Sequence, residues 1–202
     1  MITIALPKGR IADETLEIFQ KAFNEEFVFE DRKLILQKSG FKFLSVRNQD
    51  VPTYVQYGSA DLGVVGLDVL EEKEYDLVKL LNLNIGKCKV AIGLRADDEI
   101  DWTRSEIKVA TKHEKIAKKY FEQKAMAVEI IKLYGSIELA PIVGLSDCIV
   151  DIVETGATMK QNGLKVGETI MQSSAHLIAN KNSYYLKKEA ILNLKKEIGK
   201  HI

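Results

Sequence analysis

Hydrophobic and polar positions along this chain follow two alternating rhythms. Short apolar runs bounded by glycine or proline give way to longer stretches in which apolar residues return every three or four positions, the marks of strands and amphipathic helices. Residues 2–6 (ITIAL) are the first run, ending at Pro7-Lys8-Gly9. From Arg10, the positions Ile11, Leu16, Ile18, Phe19, Ala22 and Phe23 approximate one helical face, with Asp13 and Glu14 in a first turn that favours acids. Residues 34–37 and 41–46 predict a hairpin about Ser39-Gly40. A short helix with Pro52 in its first turn is predicted over 52–57, a compact strand over 62–66 and a helix over 68–74. Strands are then predicted over 77–83, 87–94, 107–110, 128–133, 168–172 and 176–180, and helices over 114–124 and 138–143. One last helix, over 183–199, carries Leu186, Ala190, Ile191, Leu194 and Ile198 on a single stripe. Strands alternating with helices predict an α/β fold.

Residues 138–159 (ELAPIVGLSDCIVDIVETGATM) break this pattern where it matters most. Ile149, Val150, Ile152 and Val153 read as a strand of a parallel sheet buried on both faces, yet Asp151 stands among them. An unpaired buried carboxylate opposes folding, so Asp151 is expected near the C-terminal end of the strand, facing a polar ligand or a cation. Thr155-Gly156-Ala157-Thr158 then leads into a short helix that stops at Asn162-Gly163. At such a turn backbone N–H groups converge on an anion, glycine leaves the approach open, and threonine hydroxyls add donors. A phosphate cradle and an ordinary capped turn explain these four residues equally well; the acid inside the apolar strand favours the cradle.

Composition narrows the function classes. With 29 basic and 29 acidic residues there is no excess charge to attract nucleic acid or an anionic membrane, so anions must be met by local clusters. The lysine face of 114–124 has no interleaved aromatics on which bases could stack. Cys88 and Cys148 form no CxxC and read as reduced thiols, and His113, His176 and His201 have no zinc spacing. No run reaches the roughly 20 apolar residues of a membrane span and no leader is evident, which predicts a cytoplasmic protein. Neither a Walker A nor a GxGxxG motif is present. Lys8, Gly9 and Arg10 stand at a strand-to-helix junction that suits an anion, whereas Arg32 and Arg47, from spacing alone, read as surface arginines at strand ends.

The succession Glu138, Gly144-Leu145-Ser146, Ile149, Asp151 and Thr155-Gly156-Ala157-Thr158-Met159 resembles the signature of the ATP phosphoribosyltransferase family. Leu6-Pro7-Lys8-Gly9-Arg10, Asp31-Arg32-Lys33-Leu34, Val51-Pro52-Thr53-Tyr54, Ala60-Asp61-Leu62-Gly63-Val64-Val65-Gly66 and Leu133-Tyr134-Gly135-Ser136 are similar to that family's other blocks, in its order. The resemblance implies two α/β lobes like type II periplasmic binding proteins with an active site in the cleft, mapped here as residues 1–87 plus 176–202 and residues 88–175. It also implies a short form without a C-terminal regulatory domain, partnered in a hetero-oligomer by a regulatory subunit resembling histidyl-tRNA synthetase.

The implied reaction condenses ATP, through adenine N1, with 5-phosphoribosyl 1-pyrophosphate at the first step of histidine biosynthesis. By the same resemblance, Arg10 and Arg32 would be catalytic, and Asp151, Glu154, Thr155, Gly156, Ala157 and Thr158 would bind the sugar donor. Lys8, Gly9, Arg47, Tyr134, Gly135, Ser136 and Glu138 would contact nucleotide. Mg2+ is the implied cofactor, held mainly through substrate, with Asp151 as its candidate protein ligand. A non-catalytic cytoplasmic solute-binding protein of the same two-lobed fold is the alternative.

Overall fold

The opening apolar run becomes strand β1 (Ile2–Pro7) of the computed structural model, which describes residues 1–202. It is followed by α1 (Arg10–Phe23), β2 (Ile35–Lys38), β3 (Phe41–Val46), α2 (Val51–Gln56), β4 (Leu62–Gly66), α3 (Leu67–Lys73) and β5 (Val78–Asn82). Then come β6 (Cys88–Arg95), β7 (Glu106–Thr111), α4 (Glu114–Gln123), β8 (Ala127–Lys132), α5 (Leu139–Ile142), β9 (Cys148–Val153), α6 (Ala157–Gln161) and β10 (Leu164–Ser173). The chain closes with β11 (Ala175–Ala179), α7 (Lys181–Leu186) and α8 (Lys188–Ile198). It divides into two units, Met1–Lys87 with Ser174–Ile202, and Cys88–Ser173.

The first unit holds a six-stranded sheet ordered β2-β3-β1-β4-β11-β5. Strand β1 lies parallel to β3 and β4, and β11 returns antiparallel to β4 and β5. The β2–β3 hairpin turns on Ser39 and Gly40, both at positive φ (50° and 82°), the backbone a two-residue hairpin loop demands. On one side of the sheet, Phe19 of α1 packs edge-on against Phe43 and Phe41 of β3, at ring-centroid distances of 5.1 and 5.4 Å. Edge-to-face geometry sets the positive rim of one ring against the negative face of the next.

The second unit is a five-stranded sheet ordered β10-β6-β9-β7-β8. Strand β7 is parallel to β8 and β9, while β6 runs antiparallel to both β9 and β10. The all-parallel surroundings expected for the Asp151 strand are therefore corrected to a mixed sheet. An apolar run reports burial on both faces, and burial does not encode the direction of a neighbour.

Two further expectations change. The strand expected over 168–172 runs from Leu164 to Ser173, and register shifts between Val166 and Thr169 and between Thr169 and Met171 interrupt the side-chain alternation that would have shown its length. The single helix expected over 183–199 is two. Asn180 caps α7 by accepting the Ser183 N–H at 2.9 Å, so helix begins at Lys181. Lys187, at φ −116° and ψ 27°, then leaves the helical conformation, and its ammonium lies 2.8 and 2.9 Å from the two oxygens of Asp61.

Candidate active site

Side chains alternate along β9, so Asp151 shares a face of the sheet with Ile149 and Val153, the side on which Ala110, Ile137 and Met159 also pack. Only 13% of its side chain is exposed. Beyond Val153 the backbone turns at Gly156, whose φ is 81°; a Cβ there would meet Cγ2 of Val166 at 3.1 Å, so conformation and space both call for glycine. Thr155 Oγ1 accepts the Ala157 N–H at 3.3 Å and the Gly156 carbonyl accepts the Lys160 N–H at 3.0 Å, which starts α6. Met159 anchors that helix from beneath, over Gly93 of β6, where a Cβ would come within 3.1 Å of the Met159 sulfur and 2.6 Å of Ile149 Cγ1.

With those anchors inside, Glu154, Thr155, Ala157 and Thr158 remain exposed. A pocket of about 170 Å³ is lined by residues 152–159 together with Glu138. Glu138 arrives from the loop after β8, where buried Ile137 fixes the backbone and Tyr134, Gly135 and Ser136 stay exposed. The fold thus brings Glu138 to the TGAT loop, while Tyr134, Gly135 and Ser136 stand at the end of β8, two strands from β9.

Sequence reasoning missed Lys112. Its Nζ lies 3.0 Å from Oδ1 of Asp151, with 28% of the lysine side chain exposed. The approach lacks hydrogen-bond geometry, so Oδ1 is ion-paired yet accepts no hydrogen bond. Asp151 does face a cation, and the cation belongs to the chain itself. Lys112 follows β7 just as Lys8 follows β1, and that shared strand-to-helix junction was the available signal.

In the first unit the candidates gather at one sheet end. Pro7 pairs with Val46 in the parallel ladder and the Lys8 N–H donates to the Val46 carbonyl at 2.9 Å, which sets Lys8 beside Arg47. Ser45 N–H donates to Leu34 O at 2.8 Å, so Arg32, two residues earlier, enters β2 at the same end. Gly9, at φ 89°, opens α1, and its carbonyl accepts the Ala12 N–H at 2.8 Å. Arg10 Nε lies 3.7 Å from Glu14 Oε1, and Arg32 is 94% exposed, with Asp31 at 3.8 Å. Each unit therefore carries its candidates where parallel strands end, the edge at which open α/β sheets bind ligands.

A family model described as ATP phosphoribosyltransferase matches residues 47–200. The chain belongs to the ATP phosphoribosyltransferase family. It is 68% identical over 98% of its length to the ATP phosphoribosyltransferase of Sulfurovum sp. (strain NBC37-1), covering 96% of that protein. The ATP phosphoribosyl transferase (HisG:HisZ) complex from Thermotoga maritima contains a chain 34% identical to this one, with a TM-score of 0.85 and coverage of 99% and 98% of the two chains. The periplasmic aliphatic sulphonate binding protein SsuA from Escherichia coli is 14% identical, with a TM-score of 0.65, covering 98% of this chain and 71% of its own. That second likeness is one of fold alone: the chain is an ATP phosphoribosyltransferase built on a periplasmic-binding-protein-like scaffold. No helix is long and apolar enough to cross a membrane.

Proposed function

We propose that the chain carries out the family's reaction with the residues its two sheets present. Adenine N1 of ATP attacks C1 of the ribose of 5-phosphoribosyl 1-pyrophosphate, the C1–O bond to pyrophosphate breaks, and N1-(5-phosphoribosyl)-ATP and pyrophosphate leave. The attacking nitrogen is already a nucleophile, so the protein's work is positioning and the stabilisation of charge on the leaving group. The TGAT loop holds the 5-phosphate through backbone N–H groups and threonine hydroxyls, and Asp151 and Glu154 hold the ribose hydroxyls. Arg10 and Arg32 meet the negative charge that builds on the pyrophosphate. Lys8, Gly9, Arg47, Tyr134, Gly135, Ser136 and Glu138 are the residues assigned to nucleotide binding.

The single observation supporting this reading most strongly is the shape of the 154–158 loop. Gly156 is left-handed and leaves no room for a Cβ beside Val166, and the loop's polar residues border a pocket at the end of the strand that carries the largely buried Asp151.

The donor set also suits Mg2+. Asp151 Oδ1 is a carboxylate oxygen without a hydrogen-bond donor, and magnesium is commonly bound by one or two carboxylates plus substrate phosphates. Asp151, with Glu154 at the mouth, would hold the ion where it arrives on the donor's pyrophosphate. Bound there, it would neutralise charge on the leaving group. Lys112 would have to yield Oδ1 to it.

A separate regulatory subunit resembling histidyl-tRNA synthetase would complete a hetero-oligomer with this chain in the cytoplasm, a reading supported by the likeness to the HisG:HisZ complex from Thermotoga maritima. The test of the activity is direct. Purified protein incubated with ATP, Mg2+ and phosphoribosyl pyrophosphate should yield the adduct and pyrophosphate in equal amounts by mass spectrometry and phosphate analysis. Release of pyrophosphate without adduct, or no turnover, would refute the reading.

A further inference from the structure

Residue 112 sits where the parallel strands β7 and β9 end side by side. The ladder pairs Thr111 with Val150, so Lys112 and Asp151 follow as neighbours. Two buried hydrogen bonds fix the turn beneath the lysine: the Thr111 hydroxyl donates to the Val150 carbonyl at 2.6 Å and accepts the His113 N–H at 2.8 Å. The backbone at Lys112 is therefore held, while its four-carbon stem, partly exposed, stays free to swing.

The contact with Asp151 has the character of charge balance rather than of a locked bridge. An ammonium offers three donors, yet its approach to Oδ1 falls outside hydrogen-bond geometry, although the atoms are 3.0 Å apart. A largely buried carboxylate without any counter-charge would cost several kcal/mol, so Asp151 needs a cation beside it. Once ribose hydroxyls donate hydrogen bonds to Asp151, they stabilise the carboxylate in place of the ammonium, which is then released to pair with the donor's anionic phosphoryl groups.

We propose that Lys112 is a donor-binding residue with two stations, on Asp151 before the donor binds and on a phosphoryl oxygen of phosphoribosyl pyrophosphate in the complex. The proposal rests on the reading of the 154–158 loop as the donor's phosphate site. It assigns to the end of β7 a share of donor recognition that the TGAT loop and the arginines do not supply, and it concerns the sugar donor, with no part in binding ATP.

The test compares Lys112→Met, Lys112→Gln and Lys112→Arg. Donor affinity is measured by calorimetry with phosphoribosyl pyrophosphate and MgCl2 in the absence of ATP, and KM and kcat are measured for each substrate. Lys112→Met should weaken donor binding and raise donor KM by roughly tenfold or more, the worth of one charge-assisted hydrogen bond. KM for ATP should stay near its wild-type value, and Lys112→Arg, which keeps the charge, should recover most of the loss. If Lys112→Met fails to fold because Asp151 is left without a counter-charge, Lys112→Gln gives the same reading, since its amide can donate to Asp151 while carrying no charge. Wild-type donor affinity in the uncharged variant overturns the proposal alone. Equal losses for both substrates, or no recovery with arginine, also overturn it. A wild-type chain that binds no donor refutes the phosphate-loop reading and the proposal together.

Discussion

The carboxylate of Glu14 accepts the backbone N–H of Gly86 at 2.9 Å, across 72 residues of sequence. Its other oxygen lies 3.7 Å from the Arg10 guanidinium. One acid thus ties the N-terminal part of α1 to the segment that ends the first unit's opening stretch, and flanks a proposed catalytic arginine. Gly86, at φ 58°, packs so closely that a Cβ would meet Ile11 Cγ1 at 2.8 Å.

Stability and activity should separate at this pair. Glu14→Ala strands the Gly86 N–H and should lower the free energy of unfolding by about 1–2 kcal/mol, read from the urea midpoint. Arg10→Ala should leave that midpoint nearly unchanged, because a half-exposed ion pair contributes little, yet should lower kcat by roughly 10²–10³, the scale of one preorganised donor. Arg32→Ala should reduce kcat by a similar factor. Near-normal turnover in both arginine variants would remove them from the chemistry.

Gly156→Ala should damage the phosphate loop without dismantling the sheet. The new Cβ meets both a left-handed φ and Val166, so stability should fall by about 1 kcal/mol or more. Donor KM should rise by roughly tenfold to a hundredfold as the loop shifts. Unaltered kinetics would show that the loop's shape is not what holds the substrate.

Asp151→Asn removes the charge but keeps the shape. With the Lys112 ammonium left unbalanced and the ribose hydroxyls offered an amide, donor KM should rise while circular dichroism still reports a folded chain. Identical kinetics to wild type would make Asp151 a structural carboxylate only.

The Asp61–Lys187 pair should make stability depend on pH. Burial by itself would raise the Asp61 pKa, but the Lys187 ammonium, the Thr3 N–H and the Ser183 contact outweigh it and hold the carboxyl below its ordinary range. Because the folded-state pKa is the lower one, the contribution is complete above the unfolded value of about 3.9 and is lost as pH falls through the folded value. The stability gap between wild type and Asp61→Asn, about 1–3 kcal/mol near neutral pH, should therefore close in acid. A gap that stays constant from neutral pH down to strong acid would contradict this origin.

The β9 strand and its loop were legible in sequence because local chemistry marks them: an acid inside an apolar run, then a glycine between threonines. Lys112 was not, because its importance comes from the β7–β9 register, which joins positions 39 apart. The break at Lys187 was hidden for a related reason. In sequence Leu186, Ala190, Ile191, Leu194 and Ile198 keep helical spacing across the break, although Leu186 is 80% exposed, and only the pairing of Lys187 with Asp61, the residue before β4, marks where the helix ends. The arginines looked like scattered surface charge until the β1–β3 and β2–β3 pairings set Lys8, Arg32 and Arg47 at one end of a sheet.

A crystal structure of the protein with phosphoribosyl pyrophosphate and Mg2+ tests the central assignment most directly. The 5-phosphate should lie within hydrogen-bond distance of backbone N–H groups among residues 155–158, with the ribose hydroxyls toward Asp151. Donor bound elsewhere, with this loop unengaged, would contradict it.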